Sequence, residues 1–139
     1  MSMFTGIFQS TTIPVLEQVV NFAEARQTVL AGNLANLHTP GYQARDLSVE
    51  EFQSRLKEAI EARDQAPAVQ SPGDLAAQWS SSIAQAAENP QSILYHDQSN
   101  DSVEFEVTEM VKNQLQHNLA LSILTSQLRL LLAAVSEKA

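Results

Sequence analysis

The sequence contains no cysteine among its 139 residues. Disulfide bonds, thiolate nucleophiles and zinc–thiolate sites are therefore excluded. Aromatic residues make up only 6% of the chain, which is few for a tightly packed globular core, and the abundant alanine and leucine favour helices. Lysine and arginine are absent from the first 25 residues, so the basic start of a secretory signal peptide is missing. We expect any export to use a route that does not read such a signal.

Positive charge is scarce in one part of the chain. The formal net charge is −8, and between Arg63 and Lys112 the sequence has eight acidic residues and no basic one. Nucleic acid as a partner is excluded, because it requires a basic surface. The acidic middle has two interpretations: a solvated connector that repels itself, or an outward patch that binds a basic partner.

The first periodic segment predicts a helix over residues 13–37, with Pro14 suited to its first turn. Its apolar residues alternate spacings of four and three, which is typical of a coiled-coil seam. We expect the helix to stop at Thr39, because Pro40 and Gly41 suit the two central positions of a type II turn. The predicted seam consists of Leu16, Val20, Ala23, Gln27, Leu30, Leu34 and Leu37.

A shorter helix is predicted next, to about Glu61. Ser48 and Glu51 have the spacing of a capping box, with Ser48 as the N-cap. Leu47 and Phe52 occupy the two positions of a hydrophobic staple around that cap. We therefore expect residues 47–63 to form a short third helix between the two ends of the chain.

Residues 64–101 lose the helical pattern. Three prolines and a glycine interrupt a stretch rich in glutamine, alanine, serine and aspartate, which predicts a flexible acidic connector with at most a weak helical patch over 75–87. So long a connector is unusual in a compact domain and favours an extended subunit. The predicted segments are 1–46, 47–63, 64–101 and 102–139.

The last segment predicts a long helix from Thr108, after a brief alternation of Val103, Phe105 and Val107 that is compatible with extended chain. Most of its circumference is apolar, so we expect it to need several neighbouring helices. A membrane span is the weaker interpretation, because polar residues interrupt its apolar runs. The predicted seam consists of Met110, Gln114, His117, Leu121, Leu124, Leu128, Leu131 and Val135.

The end of the first helix carries a motif, Asn-x-x-Asn-x-x-Thr-Pro-Gly-Tyr, followed by Ala-Arg-Asp. Together with residues 103–115, which run from Val-Glu-Phe-Glu to Asn-Gln-Leu, it resembles the bacterial flagellar rod, hook and hook-associated axial proteins. The Ala-Arg-Asp extension is most similar to a proximal rod subunit of that family. The motif residues are Asn33, Asn36, Thr39, Pro40, Gly41, Tyr42, Ala44, Arg45 and Asp46.

The resemblance implies an all-α fold in which the terminal helices pair as an elongated coiled-coil-like bundle within the rod of the basal body. The implied partners are other rod and basal-body proteins, further copies of the chain, and the flagellar type III export apparatus, with no membrane span and no cofactor. Phe4 and Phe8 fit the spacing of an early export signal. The implied assembly interface comprises Leu16, Val20, Ala23, Leu30, Leu34, Leu37, Met110, Leu121, Leu124, Leu128, Leu131 and Val135.

Other interpretations stay open at this point. The seams alone would fit an ordinary intramolecular core, and the chain could be another rod protein or a soluble helical adaptor or chaperone. His38, His96 and His117 lack zinc-ligand spacing, and His117 fits a hydrogen-bonded interface residue better than a ligand. No catalytic constellation is present, so we predict no enzyme activity. Asn33 and Asn36 either bond backbone across subunits or cap the first helix locally.

Overall fold

The computed structural model describes residues 12–65, 91–92 and 101–137. Three helices dominate it: α1 (Ile13–Ala35), α2 (Val49–Gln65) and α3 (Asp101–Ser136). The predicted all-α fold is confirmed. Two-residue strands β1 (Arg45–Asp46) and β2 (Gln91–Ser92) pair antiparallel, and nothing in the periodicity of residues 64–101 predicts this pairing. The helical patch at 75–87 and the export candidates Phe4 and Phe8 lie outside the described residues.

Helix α1 ends two residues earlier than predicted, so Leu37 lies in the following turn rather than on the helix. The Asn36 side-chain amide donates to the Gly32 carbonyl at 2.9 Å, which satisfies one of the free carbonyls at the helix end. The Tyr42 N–H then donates to the Thr39 carbonyl at 3.2 Å. Gly41 has φ +76°, the value that the third residue of a type II turn requires. The predicted Pro-Gly turn is confirmed.

Helix α2 begins as its sequence predicts and runs four residues beyond Glu61. The Glu51 N–H donates to Ser48 Oγ at 3.2 Å, which confirms Ser48 as the N-cap. The Glu51 carboxylate does not complete the capping box but pairs with Arg55 one turn later. Phe52 stacks on Phe22 of α1, with ring centroids 4.0 Å apart, and this contact attaches α2 to the helix pair.

Helix α3 is helical from Asp101, so the expectation of extended chain at residues 103–107 was wrong. The alternation placed Val103, Phe105 and Val107 on one side of a strand. Instead Glu106 points inward and is buried, while Phe105 and Val107 are exposed. The physical reason is a buried partner for the Glu106 carboxylate, the side-chain amide of Asn33 on α1.

The terminal helices pack against each other, which confirms their predicted pairing. Asn33 contacts Glu106, and the Ala23 carbonyl accepts a hydrogen bond from Asn113. As the residue number of the contact rises along α3, the number of its partner on α1 falls, so the two helices are antiparallel. Because Asn113 lies level with Ala23 and Gln27, the start of α1 at Ile13 lies level with about residue 125 of α3, and the end of α3 extends about 16 Å past it.

Candidate assembly site

The packed faces of α1 and α3 bury four polar side chains. Arg26 and Asn33 lie on α1, and Glu106 and Asn113 on α3, each no more than 5% exposed. Buried polar groups are stable only when they are hydrogen-bonded. Each of the four has such partners, described below, and together they form the interior of the candidate site.

Asn33 is completely buried at the end of α1, beneath the turn motif. Its amide nitrogen donates to the Arg45 carbonyl at 2.6 Å and lies 3.3 Å from each carboxylate oxygen of Glu106. Its amide oxygen accepts from the Arg45 N–H at 3.0 Å and from the Tyr42 hydroxyl at 3.1 Å. Both donors and both acceptor positions of this side chain are therefore used.

Within the described residues, these contacts show that the two motif asparagines have different roles. Asn33 neither caps its helix nor has a free group for another subunit, because its polar atoms hold residues 42–45 and α3. Asn36 caps α1 locally, and its side-chain oxygen accepts from the Thr39 hydroxyl at 3.3 Å. Asn33 therefore fits neither alternative within the described residues: it bonds backbone, but that of Arg45 in its own chain.

Arg26 joins three parts of the chain. Its guanidinium donates to both carboxylate oxygens of Asp46, at 2.8 and 2.7 Å, and to Glu109 on α3 at 2.9 Å. The hydrogen bond to Asp46 raises the pKa of Arg26 against the opposing effect of burial. Lys112 donates to Glu109 at 2.8 Å, and this bond, ahead of the one from Arg26, lowers the pKa of Glu109 although burial opposes it.

Asn113 forms the third polar contact between the helices. Its amide nitrogen donates to the Ala23 carbonyl at 2.7 Å and to the side-chain oxygen of Gln27 at 2.8 Å. Gln27 is a polar residue within the otherwise apolar seam predicted for α1, and so interrupts it. The structure gives that interruption a partner on α3.

Comparison with known proteins gives relatives along most of the chain. No protein-family model matches the sequence. The chain is 33% identical over 125 residues to flagellar basal body rod protein FlgB of Salmonella typhimurium, covering 81% of this chain and 84% of the relative. It is 32% identical over 121 residues to FlgB of Escherichia coli, with the same coverage.

The chain belongs to the FlgB family. A more distant member, FlgB of Bacillus subtilis, is 32% identical over 62 residues, which are 45% of this chain and 44% of the relative. The resemblance carried by residues 33–46 and 103–115 is thereby confirmed.

The remaining motif residues of this FlgB-family chain lie between α1 and α2. Ala44 is buried, and Asp46 is partly buried with one carboxylate oxygen accepting from the Leu47 N–H at 2.7 Å. The Arg45 side chain is exposed, while its backbone pairs with Asn33 and with β2. Thr39 and Pro40 are exposed. The motif therefore exposes the side chains of Thr39, Pro40, Tyr42 and Arg45, and anchors the chain through Asn33, Ala44 and Asp46.

The buried stripe of α1 is offset by one residue from the predicted seam. Ala23 and Leu30 are buried as expected. Arg26 and Asn33 are buried, whereas the adjacent seam residues Gln27 and Leu34 are only partly buried. The polar side chains of Arg26 and Asn33 can be buried because they are hydrogen-bonded. Leu16 and Val20 are also partly buried.

Helix α3 shows the same offset. Met110, His117, Leu124 and Leu131 of the predicted seam are only partly buried. The buried positions that face α1 are Glu106, Asn113 and Ala120. Leu121, Leu128 and Val135, which alternate with them in the predicted seam, are exposed. Periodicity does not reveal these inward positions, because two of them, Glu106 and Asn113, are polar and a periodic pattern assigns polar residues to solvent.

Much of the apolar surface of α3 is not covered within the described part of the chain. Leu130 is 63% exposed and Leu132 is 70% exposed. Exposed apolar surface of this extent marks an interaction site in most soluble proteins. We name it the α3 apolar face, and it consists of two flanks on either side of the stripe that faces α1: Leu119, Ile123 and Leu130 on one flank, and Leu121, Leu128, Leu132 and Val135 on the other.

An apolar groove adjoins this face where the three helices meet. Its volume is about 350 Å³. The stacked rings of Phe22 and Phe52 lie at its base, and Leu16, a predicted interface residue, forms part of its wall. The α3 side of the groove is formed by Leu119 and Ile123. The groove is therefore continuous with the flank of the α3 apolar face that contains Leu119 and Ile123.

By length and composition, the described part of α3 from Val103 to Ser136 is apolar enough to cross a membrane. The expectation that its polar residues would interrupt every sufficiently long run was wrong on that criterion. Only 6% of its most apolar stretch is buried. Most of that stretch is therefore exposed within the described part of the chain.

His117 occupies the inward side of α3 but does not fit the expected hydrogen-bonded interface residue. Its Nδ1 atom is buried and has no hydrogen-bond partner among the described residues. Among those residues, no group of three or more histidine, aspartate or glutamate side chains is arranged to hold a metal ion.

Proposed function

We propose that this FlgB-family chain is a structural subunit of the bacterial flagellar basal body rod, and that it polymerises through the apolar surfaces of its terminal helices. The observation that carries the proposal is the α3 apolar face. Leucines this exposed contribute little to packing within the described part of one chain. The FlgB relatives are named as rod proteins, and a rod requires subunits that expose surface for one another.

The residues of the interface proposed from the sequence differ in exposure, and most of them are partly buried. Ala23 and Leu30 are buried inside the helix pair, so their contribution to assembly is to hold the pair together. Leu121, Leu128 and Val135 are exposed and are the residues of that set that can contact a neighbour directly. Burying one leucine fully contributes about 1.5–3 kcal/mol, so several such contacts per subunit offset the entropy lost on association.

The proposed partners are other rod and basal-body proteins and further copies of this chain. The proposed location is the periplasmic rod of the basal body, reached through the flagellar type III export apparatus. Phe4 and Phe8 are the candidate export signal. The proposed role is structural and involves no catalysis, cofactor or nucleic acid.

Complementation tests the proposal. The chain would replace FlgB in a flagellated relative, and isolated basal bodies would be examined for rods by electron microscopy. We expect rods with the parent chain. The triple variant Leu121→Ser, Leu128→Ser, Val135→Ser should give none, although its circular dichroism stays helical, because these side chains are exposed in the subunit.

The matched control changes three exposed polar residues of the same helix: Asn118→Ser, Ser122→Asn and Ser126→Asn. It should support rods like the parent. Normal rods with the apolar-face variant, or no rods with the parent chain, would contradict the proposal.

A membrane span and a soluble adaptor are the competing outcomes. The length and composition of α3 favour the first, but Ser122, Thr125 and Arg129 follow one another along one side of it, which a lipid environment would penalise. Alkaline extraction of cell membranes separates the cases: a spanning protein stays in the membrane fraction and a rod subunit does not. A purified chain that is fully helical and never assembles would favour the adaptor.

A further inference from the structure

Polar contacts recur at three levels along the α1–α3 pair, and we call them the polar layers. The first joins Asn33 to Glu106, the second Arg26 to Glu109, and the third Asn113 to Gln27 and the Ala23 carbonyl. In each layer a side chain of α3 satisfies a polar group of α1. The layers occupy positions that an apolar heptad seam would fill with leucine or alanine.

Apolar packing alone would not hold the two helices in this register. A slide by one heptad keeps the same faces together, because the packing pattern repeats every seven residues. If α3 slid by seven residues, Asn113 would take the place of Glu106 beside Asn33, and the leucine-rich end of α3 would lie against α1. That register buries more apolar surface, and burial favours it.

The polar layers oppose that slide. In the slid register Arg26 would face Gln116 instead of Glu109, and Asn33 would lose the Glu106 carboxylate. Ala120 would replace Asn113, so the Ala23 carbonyl and Gln27 would lose their donor. Removing the partner of a buried polar group is costly because the group has already lost its water. The observed register is the one that satisfies all three layers.

We infer that Glu106, Glu109 and Asn113 are positioning residues that select the register of the two terminal helices. Through Arg26 and Asn33 the same register is coupled to the turn motif, since these two side chains also bind Asp46 and the Arg45 backbone. The layers thereby set which part of α3 extends past α1. This inference stands on contacts within one chain and does not require the proposed rod function.

Distance measurement between two spin labels tests the inference, and the absence of native cysteine makes labelling specific. Ala31 on α1 and Asn118 on α3 are both exposed and would be changed to cysteine. In the observed register they are offset by about 16 Å along the helix axis, and a slide of one heptad shortens that offset by about 10 Å. Pulsed electron paramagnetic resonance on the full chain resolves such a change.

The test variant is Glu106→Ala, Glu109→Ala, Asn113→Ala, which removes the α3 side of every layer without adding apolar bulk. We expect the labelled parent to give one distance and the variant to show a second, shorter distance while remaining helical. The control, Glu104→Ala, Thr108→Ala, Gln114→Ala, changes exposed residues of the same helix and should match the parent.

A helical triple variant with the single parental distance would overturn the inference. If the triple variant does not fold, Asn113→Ala alone decides: a second distance supports register selection, and an unchanged single distance overturns it. Because the readout is a distance and not assembly, failure here is distinguishable from failure of the rod proposal, which complementation measures.

Discussion

The side chain of Asn33 binds the backbone of Arg45 through two hydrogen bonds, donating to its carbonyl oxygen at 2.6 Å and accepting from its N–H at 3.0 Å. The amide thus pairs with Arg45 as a neighbouring strand would, on the side of β1 toward α1. Because Asn33 also lies 3.3 Å from the Glu106 carboxylate, one residue connects the end of α1, the segment after the turn, and α3.

Replacing Asn33 should therefore cost far more stability than replacing Asn36. Asn33→Ala removes the buried amide that binds the Arg45 backbone and the Glu106 carboxylate, and we expect a loss of about 3 kcal/mol in the free energy of unfolding. Asn36→Ala removes a local cap and should cost about 1 kcal/mol or less. Urea denaturation of both variants measures the difference, and equal losses would contradict the buried role of Asn33.

Arg26 should not tolerate replacement by lysine. A single ammonium cannot reproduce two parallel bonds to Asp46 together with one to Glu109. We expect Arg26→Lys to lower the free energy of unfolding by about 1–3 kcal/mol. The control is Arg55→Lys, in an exposed pair with Glu51, where the loss should stay below about 0.5 kcal/mol. A tolerated Arg26→Lys would show that the bidentate geometry contributes little.

Two glycines near the turn should respond to alanine in opposite directions. Gly41 has a positive φ, so Gly41→Ala should cost about 1 kcal/mol although no atom lies within 4 Å of an added Cβ. Gly32 lies inside α1, where an added Cβ meets only the Tyr42 hydroxyl at an ordinary 3.9 Å. Gly32→Ala should stabilise the chain by about 0.5–1 kcal/mol. Thermal unfolding of the two variants checks both signs.

Acid should weaken the contribution of Glu109. Its pKa is lowered in the folded chain, first by the hydrogen bond from Lys112 and then by that from Arg26. A depressed carboxyl pKa stabilises the fold above the unfolded value of about 4.3, and this stabilisation is lost as the pH falls toward the folded value. We expect Glu109→Gln to be less stable than the parent at neutral pH by about 1–2 kcal/mol.

The stability difference between parent and Glu109→Gln should therefore shrink as the pH is lowered below about 4.3. Guanidinium denaturation across that range measures it. Glu104→Gln, at an exposed position of the same helix, corrects for the general effect of removing one negative charge. A difference that is constant with pH would contradict the role assigned to the Glu109 carboxylate.

Local features of this chain were predictable because their causes lie within a few residues. The helix N-cap at Ser48 and the type II turn at Pro40–Gly41 depend on one side chain or one backbone angle each, and both are confirmed. The three helices were predicted to within a few residues at most ends. The start of α3 was the exception, since three alternating apolar residues fit a strand as well as an exposed helix face.

The stripe that each helix turns toward the other was less predictable. Arg26, Glu106 and Asn113 are polar, and periodicity assigns polar residues to solvent. They are inside because each meets a partner more than 70 residues away in sequence. No pattern along one helix reveals such a partner, so the predicted seams came out offset by one residue.

By itself the sequence determined the helices, the turn, the absence of thiol chemistry and membership of the FlgB family, since these depend on residue types and local spacing. Only the tertiary structure decided which leucines are buried between α1 and α3 and which remain exposed on the α3 apolar face. The physical reason is that buried polar groups must be paired, and the pairs at Arg26, Asn33 and Asn113 admit one orientation of the helices.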